Sequence, residues 1–105
     1  MPNARRGEVW QVDFGIAAKV RPALVLGCDV ADEDRMLATV VYHTTSLRDS
    51  RYEVPLRVPG LEAGAFDAQS IYTIPVVKLL RRRAALTTAQ LTQVEIKVKL
   101  WLGFD

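Results

Sequence analysis

The stretch Arg21-Pro22-Ala23-Leu24-Val25 decides how this chain folds. Pro22 fixes its own φ and has no N–H to donate, which suits the first residue of a strand. It also drives Arg21 toward an extended conformation. Ala23, Leu24, Val25 and Leu26 follow without polar alternation, so this strand is covered on both faces. A guanidinium is thereby fixed at the mouth of a buried strand. The plain alternative is an arginine in a surface ion pair, the usual lot of exposed arginines, and the rest of the chain must decide between the two.

Toward the N-terminus, Gly7 releases a short polar arm into Glu8-Val9-Trp10-Gln11-Val12-Asp13-Phe14. Trp10, Val12 and Phe14 alternate with polar neighbours, which reads as a half-buried strand. The short connection over residues 15–20 predicts an antiparallel hairpin with the Arg21 strand. Toward the C-terminus, residues 36–42 form a third strand rich in Val and Leu. It ends in four polar side chains, His43-Thr44-Thr45-Ser46. Residues 47–51 read as a basic loop. Residues 52–56 form a fourth strand, which Pro55 assigns to an edge. Residues 57–67 contain Pro59, Gly60 and Gly64 and predict a loop. Residues 68–74 form a fifth strand, and 76–80 continue it or make a short sixth after Pro75.

The last element carries the most complete set of boundary residues. Thr87 and Gln90 form a capping box, with Leu86 and Leu91 placed as a hydrophobic staple. Leu91, Val94, Val98 and Trp101 recur at helical spacing, and Gly103 ends the helix. Trp101 and Phe104 are core or interface anchors. Strands first and one helix last make a mainly β, α+β protein: a small, strongly curved antiparallel sheet closed by one helix.

With 105 residues the chain fits one domain over 1–105 with its own core. Half the residues are hydrophobic and a quarter charged, as in ordinary soluble proteins. One cysteine, Cys28, excludes an intrachain disulfide and favours a reducing compartment. No apolar run is long enough for a membrane span or a signal peptide, so a cytoplasmic protein with no membrane partner is expected. The net charge is only +2, but arginines cluster at 5–6, at 48 and 51, and at 81–83. Clusters matter more than the sum when the partner is a polyanion.

The acidic residues Asp29, Asp32, Glu33 and Asp34 lack the spacing and glycine of a calcium loop and read as a solvated turn. One His and one Cys cannot build a zinc site. A Cys28–His43 nucleophile pair has no supporting signature. No phosphate-binding glycine loop or dinucleotide fingerprint is present, and no cofactor is expected. The remaining inventory is Arg, Thr, Ser and a histidine. It can transfer a phosphoryl group when the substrate carries its own nucleophile, as RNA does in its 2′-OH. If strands two and three pair, Arg21 and Thr44 can face one phosphate.

The sequence resembles the MazF/PemK family of toxins from type II toxin–antitoxin modules. The resemblance runs from Arg6 to Phe104. It rests on Arg6-Gly7-Glu8-Val9-Trp10 with Val12-Asp13-Phe14, on Arg21-Pro22-Ala23-Leu24-Val25, on Thr44-Thr45-Ser46, on Gln69-Ser70-Ile71 and on the closing helix. It implies an SH3-like barrel that forms a homodimer and cuts single-stranded RNA sequence-specifically without metal. It further implies 2′-OH attack that leaves 2′,3′-cyclic phosphate and 5′-OH ends. Arg21 and Thr44 are the implied catalytic residues, with Thr45, Ser46 and His43 as secondary candidates for catalysis or phosphate binding. Lys19, Arg48, Arg51, Gln69, Arg81, Arg82 and Arg83 are the expected RNA contacts. The implied partner is a cognate antitoxin with an acidic, partly disordered tail. The loop over residues 15–20 is shorter than the family's usual segment there. If strand three is regular, His43 and Thr44 point to opposite faces. Two other readings remain at this point: a gyrase poison of the CcdB type, to which Trp101-Leu102-Gly103 is loosely similar, and a binding module without activity.

Overall fold

The computed structural model describes residues 3–15, 19–27 and 29–104. Cys28 and residues 16–18 lie outside the described set, so the Cys28–His43 pair and half of the short loop are not described.

Six strands form one antiparallel sheet: β1 (Glu8–Asp13), β2 (Val20–Val25), β3 (Leu37–Thr44), β4 (Glu53–Pro55), β5 (Ala65–Pro75) and β6 (Leu79–Ala85). A single 3-10 turn, Val76–Lys78, joins β5 to β6, and α1 (Thr88–Leu102) closes the chain. The order across the sheet is β4-β5-β3-β2-β1-β6. The β1–β2 hairpin forms as its short connection predicts, with Val12 opposite Arg21 and Val9 opposite Leu24. The edge strands β4 and β6 do not pair with each other, so the sheet is curved but not closed. β-Bulges interrupt the β1–β6 ladder twice and the β3–β5 ladder once. Bulges sharpen local twist, which bends the sheet around its core.

The unbroken apolar run in β2 has the predicted meaning. Leu24 packs into one core with Val9, Val41, Phe66 and the helix residues Val94 and Val98. Its neighbours Ala23 and Val25 pack into a second core with Val12, Val40, Val76 and Leu79. Period-two geometry sends adjacent side chains to opposite faces, so a strand apolar at every position is one that both faces cover.

The helix signals also hold. The Gln90 amide donates to Thr87 Oγ1 at 3.1 Å, and the Thr87 amide donates to Gln90 Oε1 at 3.0 Å. Gly103 adopts φ 80° at the C-cap, a left-handed conformation that favours glycine. Trp101 does not enter the core; it stays 45% exposed, with its ring 5.4 Å from Tyr52 in an edge arrangement. Phe104 is exposed as well.

One expectation fails. Residues 65–67 are strand rather than loop, because Phe66 pairs with His43 on one side and Val54 on the other. Residues 81–83 lie in β6 against β1. Three adjacent arginines hide a strand because charged residues on an edge strand leave no apolar alternation to read.

Candidate nucleic-acid interface

The buried part of β2 holds the backbone of Arg21, and the β1 partner Val12 fixes its register. On the other side of β2, Ala23 pairs with Tyr42 of β3. Two residues further along each strand stand Arg21 and Thr44. Alternation therefore brings Tyr42, Thr44 and Arg21 to one face of the sheet. They line a groove of about 280 Å³, with Ser46, Arg48, Ser70 and Tyr72 also on its wall.

Two aromatic rings, Tyr42 and Tyr72, line this groove, and Phe14 packs against both. Phe14, Tyr42 and Tyr72 form a triangle with ring centroids 4.9, 5.2 and 5.7 Å apart. The Arg21 guanidinium lies over the Tyr42 ring, 5.2 Å from its centroid, where the negative face of the ring attracts it. Burial pushes the Tyr42 phenol above its usual pKa, against the pull of the Arg21 charge, while Tyr72 adds to the rise.

The polar wall is locally ordered. The Ser46 amide donates to Thr44 Oγ1 at 3.0 Å, which fixes the hydroxyl at the turn that ends β3. Glu53 accepts from the amides of Arg48 at 2.9 Å and Ser50 at 3.1 Å, and so ties the basic loop to β4. Asp67 accepts from the Gln69 amide at 3.0 Å and from Ser70 Oγ at 2.9 Å. Both carboxylates in the groove are thus engaged by their own chain. Arg21 and Arg48 bring two guanidinium groups to the same wall, the charge suited to an anion. Among the described residues, no three His, Cys, Asp or Glu side chains gather as they would around a metal.

The other sequence candidates lie elsewhere. His43 and Thr45 point to the opposite side of β3 from Thr44, as regular alternation requires. They line a second cavity of about 290 Å³ with Gln11, Lys19, Glu62, Arg83 and the other side of Arg21. His43 is 3% exposed, its ring edge-on to Phe66 at 4.9 Å. Its Nε2 has no hydrogen-bond partner among the described residues. Burial lowers the His43 pKa; Glu62 nearby raises it in part and Arg83 lowers it further. The ring is therefore neutral at pH 7 and is not a ligand of the Thr44 groove.

Arg51 is committed to Tyr52, donating to its hydroxyl at 2.7 Å with the guanidinium 4.8 Å from the ring centroid. Gln69 is exposed but not part of the groove wall. Lys19 sits at φ 61° where the hairpin closes, its carbonyl accepting from the Phe14 amide at 3.0 Å. The three arginines of β6 diverge. Arg81 is exposed, Arg82 donates to Glu8 at 3.1 Å, and Arg83 donates to Gln11 and, at 2.9 Å, to the Gly60 carbonyl. Burial alone would raise the Glu8 carboxyl, but bonds from the Arg5 amide, Trp10 and Arg82 outweigh it and hold its pKa below the usual value.

Sequence reasoning missed Tyr42, Tyr72 and Phe14 as parts of the site. Tyr42 was within reach, because it stands two residues before Thr44 on one strand. Tyr72 was not, because its place depends on pairing with Val40 across the sheet.

Residues 5–102 match the model of the family described as PemK-like, MazF-like toxin of type II toxin-antitoxin system. No curated protein matches the sequence. Among solved structures, an endoribonuclease in complex with its cognate antitoxin from a mycobacterial species is similar, with TM-score 0.83, 20% identity and 97% of each chain covered. The Mycobacterium tuberculosis toxin MazF-mt6 is 26% identical, with TM-score 0.79 over 93% of this chain and 98% of that one. A MazE-MazF structure from Deinococcus radiodurans gives TM-score 0.81 at 20% identity, with 97% of each chain covered. The fold is therefore that of the MazF structures, and the family match over nearly the whole length means that this chain belongs to the PemK-like, MazF-like toxins of type II toxin-antitoxin systems.

Proposed function

We propose that this toxin is an endoribonuclease that cuts single-stranded RNA at preferred sequences. The observation that carries the reading is the shared groove: the Arg21 guanidinium over the Tyr42 ring, with the Thr44 hydroxyl on the same wall. In this mechanism the 2′ oxygen forms a bond to phosphorus and the P–O5′ bond breaks. The 2′-OH gives up its proton to solvent, and the departing 5′ oxygen takes one up. The products are a 2′,3′-cyclic phosphate and a 5′-OH. Arg21 offsets charge on the non-bridging oxygens. Thr44 holds a phosphate oxygen, and Ser46 and Arg48 bind the flanking backbone. The Tyr42 and Tyr72 rings stack a base, in the manner of single-strand binders.

Family membership supports a cognate antitoxin as the second partner. An acidic, disordered tail that folds on the groove would compete with RNA for Arg21 and Arg48. The exposed Ile96, Leu100 and Phe104 on and after α1 suit a second copy of the chain, and the toxin acts as a homodimer in the cytoplasm. Among the described residues no helix is long and apolar enough to cross a membrane.

The test is the purified protein incubated with a long RNA, the cut ends then identified. Cyclic phosphate and 5′-OH ends, produced equally well in EDTA, support the proposal. Intact RNA, or cutting that needs a divalent cation, overturns it. A gyrase poison would instead block supercoiling and leave RNA whole.

A further inference from the structure

The second cavity has no role in the mechanism above. It lies across β3 from the Thr44 groove, and Arg21 lines both. About 290 Å³ is room for one nucleobase with space to spare. We propose that this cavity is a guanine-reading pocket for the nucleotide next to the cleaved phosphate. This inference rests on the nuclease reading and names the base that the enzyme prefers.

The wall carries both donors and acceptors of hydrogen bonds. Arg83 is held in place by Gln11 and the Gly60 carbonyl, which leave further N–H donors of its guanidinium for a ligand. Gln11 accepts that bond through Oε1, so its amide NH₂ is the half that can face a base. The exposed Glu62 and the buried His43 line the same cavity. Guanine presents O6 and N7 as adjacent acceptors, which an arginine reads bidentately. Its N1–H and N2–H₂ are adjacent donors, which one carboxylate accepts together. Adenine has no such pair of adjacent donors. Cytosine and uracil have no N7.

His43 lines the same cavity. Its ring stands edge-on to Phe66 at 4.9 Å, so its ring protons report on a base that enters.

The experiment uses the full chain and four mononucleotides. GMP, AMP, CMP and UMP are titrated by calorimetry while the His43 ring protons are followed by NMR. GMP should bind at least about tenfold more tightly than the others, the scale of one good bidentate pair, and should shift the His43 signals. Glu62→Gln should weaken GMP about tenfold and leave UMP where it was. Glu62 is exposed, so the variant keeps its fold. Mapped RNA cuts should carry G at one fixed position beside the cleaved bond, and the variant should lose that preference. Equal affinity for the four nucleotides, or GMP binding that leaves His43 unmoved, overturns the pocket. Cutting without G preference overturns it while the nuclease stands. GMP selectivity with His43 shifts in a protein that cuts no RNA supports the pocket and refutes the nuclease.

Discussion

Gly64 lies so close to Thr44 that a Cβ placed on it would sit 2.2 Å from the Thr44 carbonyl oxygen and 3.0 Å from His43 Cε1. The backbone of the chain entering β5 thus presses on the strand end that presents the Thr44 hydroxyl. Gly64→Ala must push the two apart. Overpacking of this kind costs about 1–3 kcal/mol, read as a lower melting temperature. RNA cleavage should drop as well, because Thr44 moves. A variant with wild-type melting and wild-type cleavage would show that this contact does not hold the site.

Arg21→Ala should lower cleavage by about 10²–10³, the scale of one lost electrostatic donor, and Thr44→Ala by a comparable or smaller factor. Neither side chain is in a core, so circular dichroism and melting should be close to wild type. Arg21→Lys should recover only part of the rate, because an ammonium cannot pair bidentately with phosphate or lie flat on Tyr42. Full rate in folded Arg21→Ala would remove Arg21 from the mechanism.

Tyr42→Leu and Tyr72→Leu should each weaken binding of a short single-stranded RNA. Stacking on an aromatic ring is worth about 1–3 kcal/mol per base, so each loss is roughly fivefold or greater by fluorescence anisotropy. Tyr72 is 43% exposed, and its replacement should hardly alter stability. Unchanged affinity in both variants would mean that the rings support Arg21 and carry no base.

Stability should fall in mild acid because of His43. Burial lowers its pKa in the folded protein below the ordinary value near 6.5. The unfolded chain therefore binds more protons across that interval, and stability rises with pH there. The full contribution is present above about pH 6.5 and is lost as pH drops below it. Glu62 favours the charged ring and Arg83 opposes it, so Glu62→Gln should steepen the loss and His43→Leu should flatten it. Urea titrations between pH 7 and 5 measure both, and equal slopes in wild type and His43→Leu would refute the assignment.

Arg48 and Arg51 should separate in salt titrations. Arg48 lines the groove, whereas Arg51 is committed to Tyr52. Arg48→Ser should reduce the slope of log affinity against log salt by about 0.7, the value for one phosphate on a single strand. Arg51→Ser should leave the slope unchanged. The reverse pattern would relocate the RNA path.

What the sequence made legible followed local rules. Thr87 with Gln90 marked the helix start, because capping is settled within four residues. Pro22 and the run behind it marked a strand with two covered faces. Thr44 was separable from His43 by alternation alone. What stayed hidden depended on pairing between distant segments. Only the start of β6 could be seen, because Arg81, Arg82 and Arg83 are polar at every position and only β1 makes them a strand. The aromatic triangle joins Phe14, just past β1, to Tyr42 of β3 and Tyr72 of β5, and no spacing in one strand announces it. The separate partners of Arg82 and Arg83 were hidden for the same reason, since Glu8 lies on β1 and Gly60 in a distant loop.

The unclosed sheet leaves two rows of backbone groups along its margins, and such rows template aggregation between copies. β4 offers only three residues and ends in Pro55, which has no N–H to donate. β6 is longer, but it carries Arg81 and Arg82 outward, and like charges repel a second β6 laid beside it. Both margins are thereby blunted without the cost of joining them into a barrel. This toxin should stay soluble at high concentration, and replacing Arg81 and Arg82 with valine should turn it into a fibre-forming protein with an intact fold.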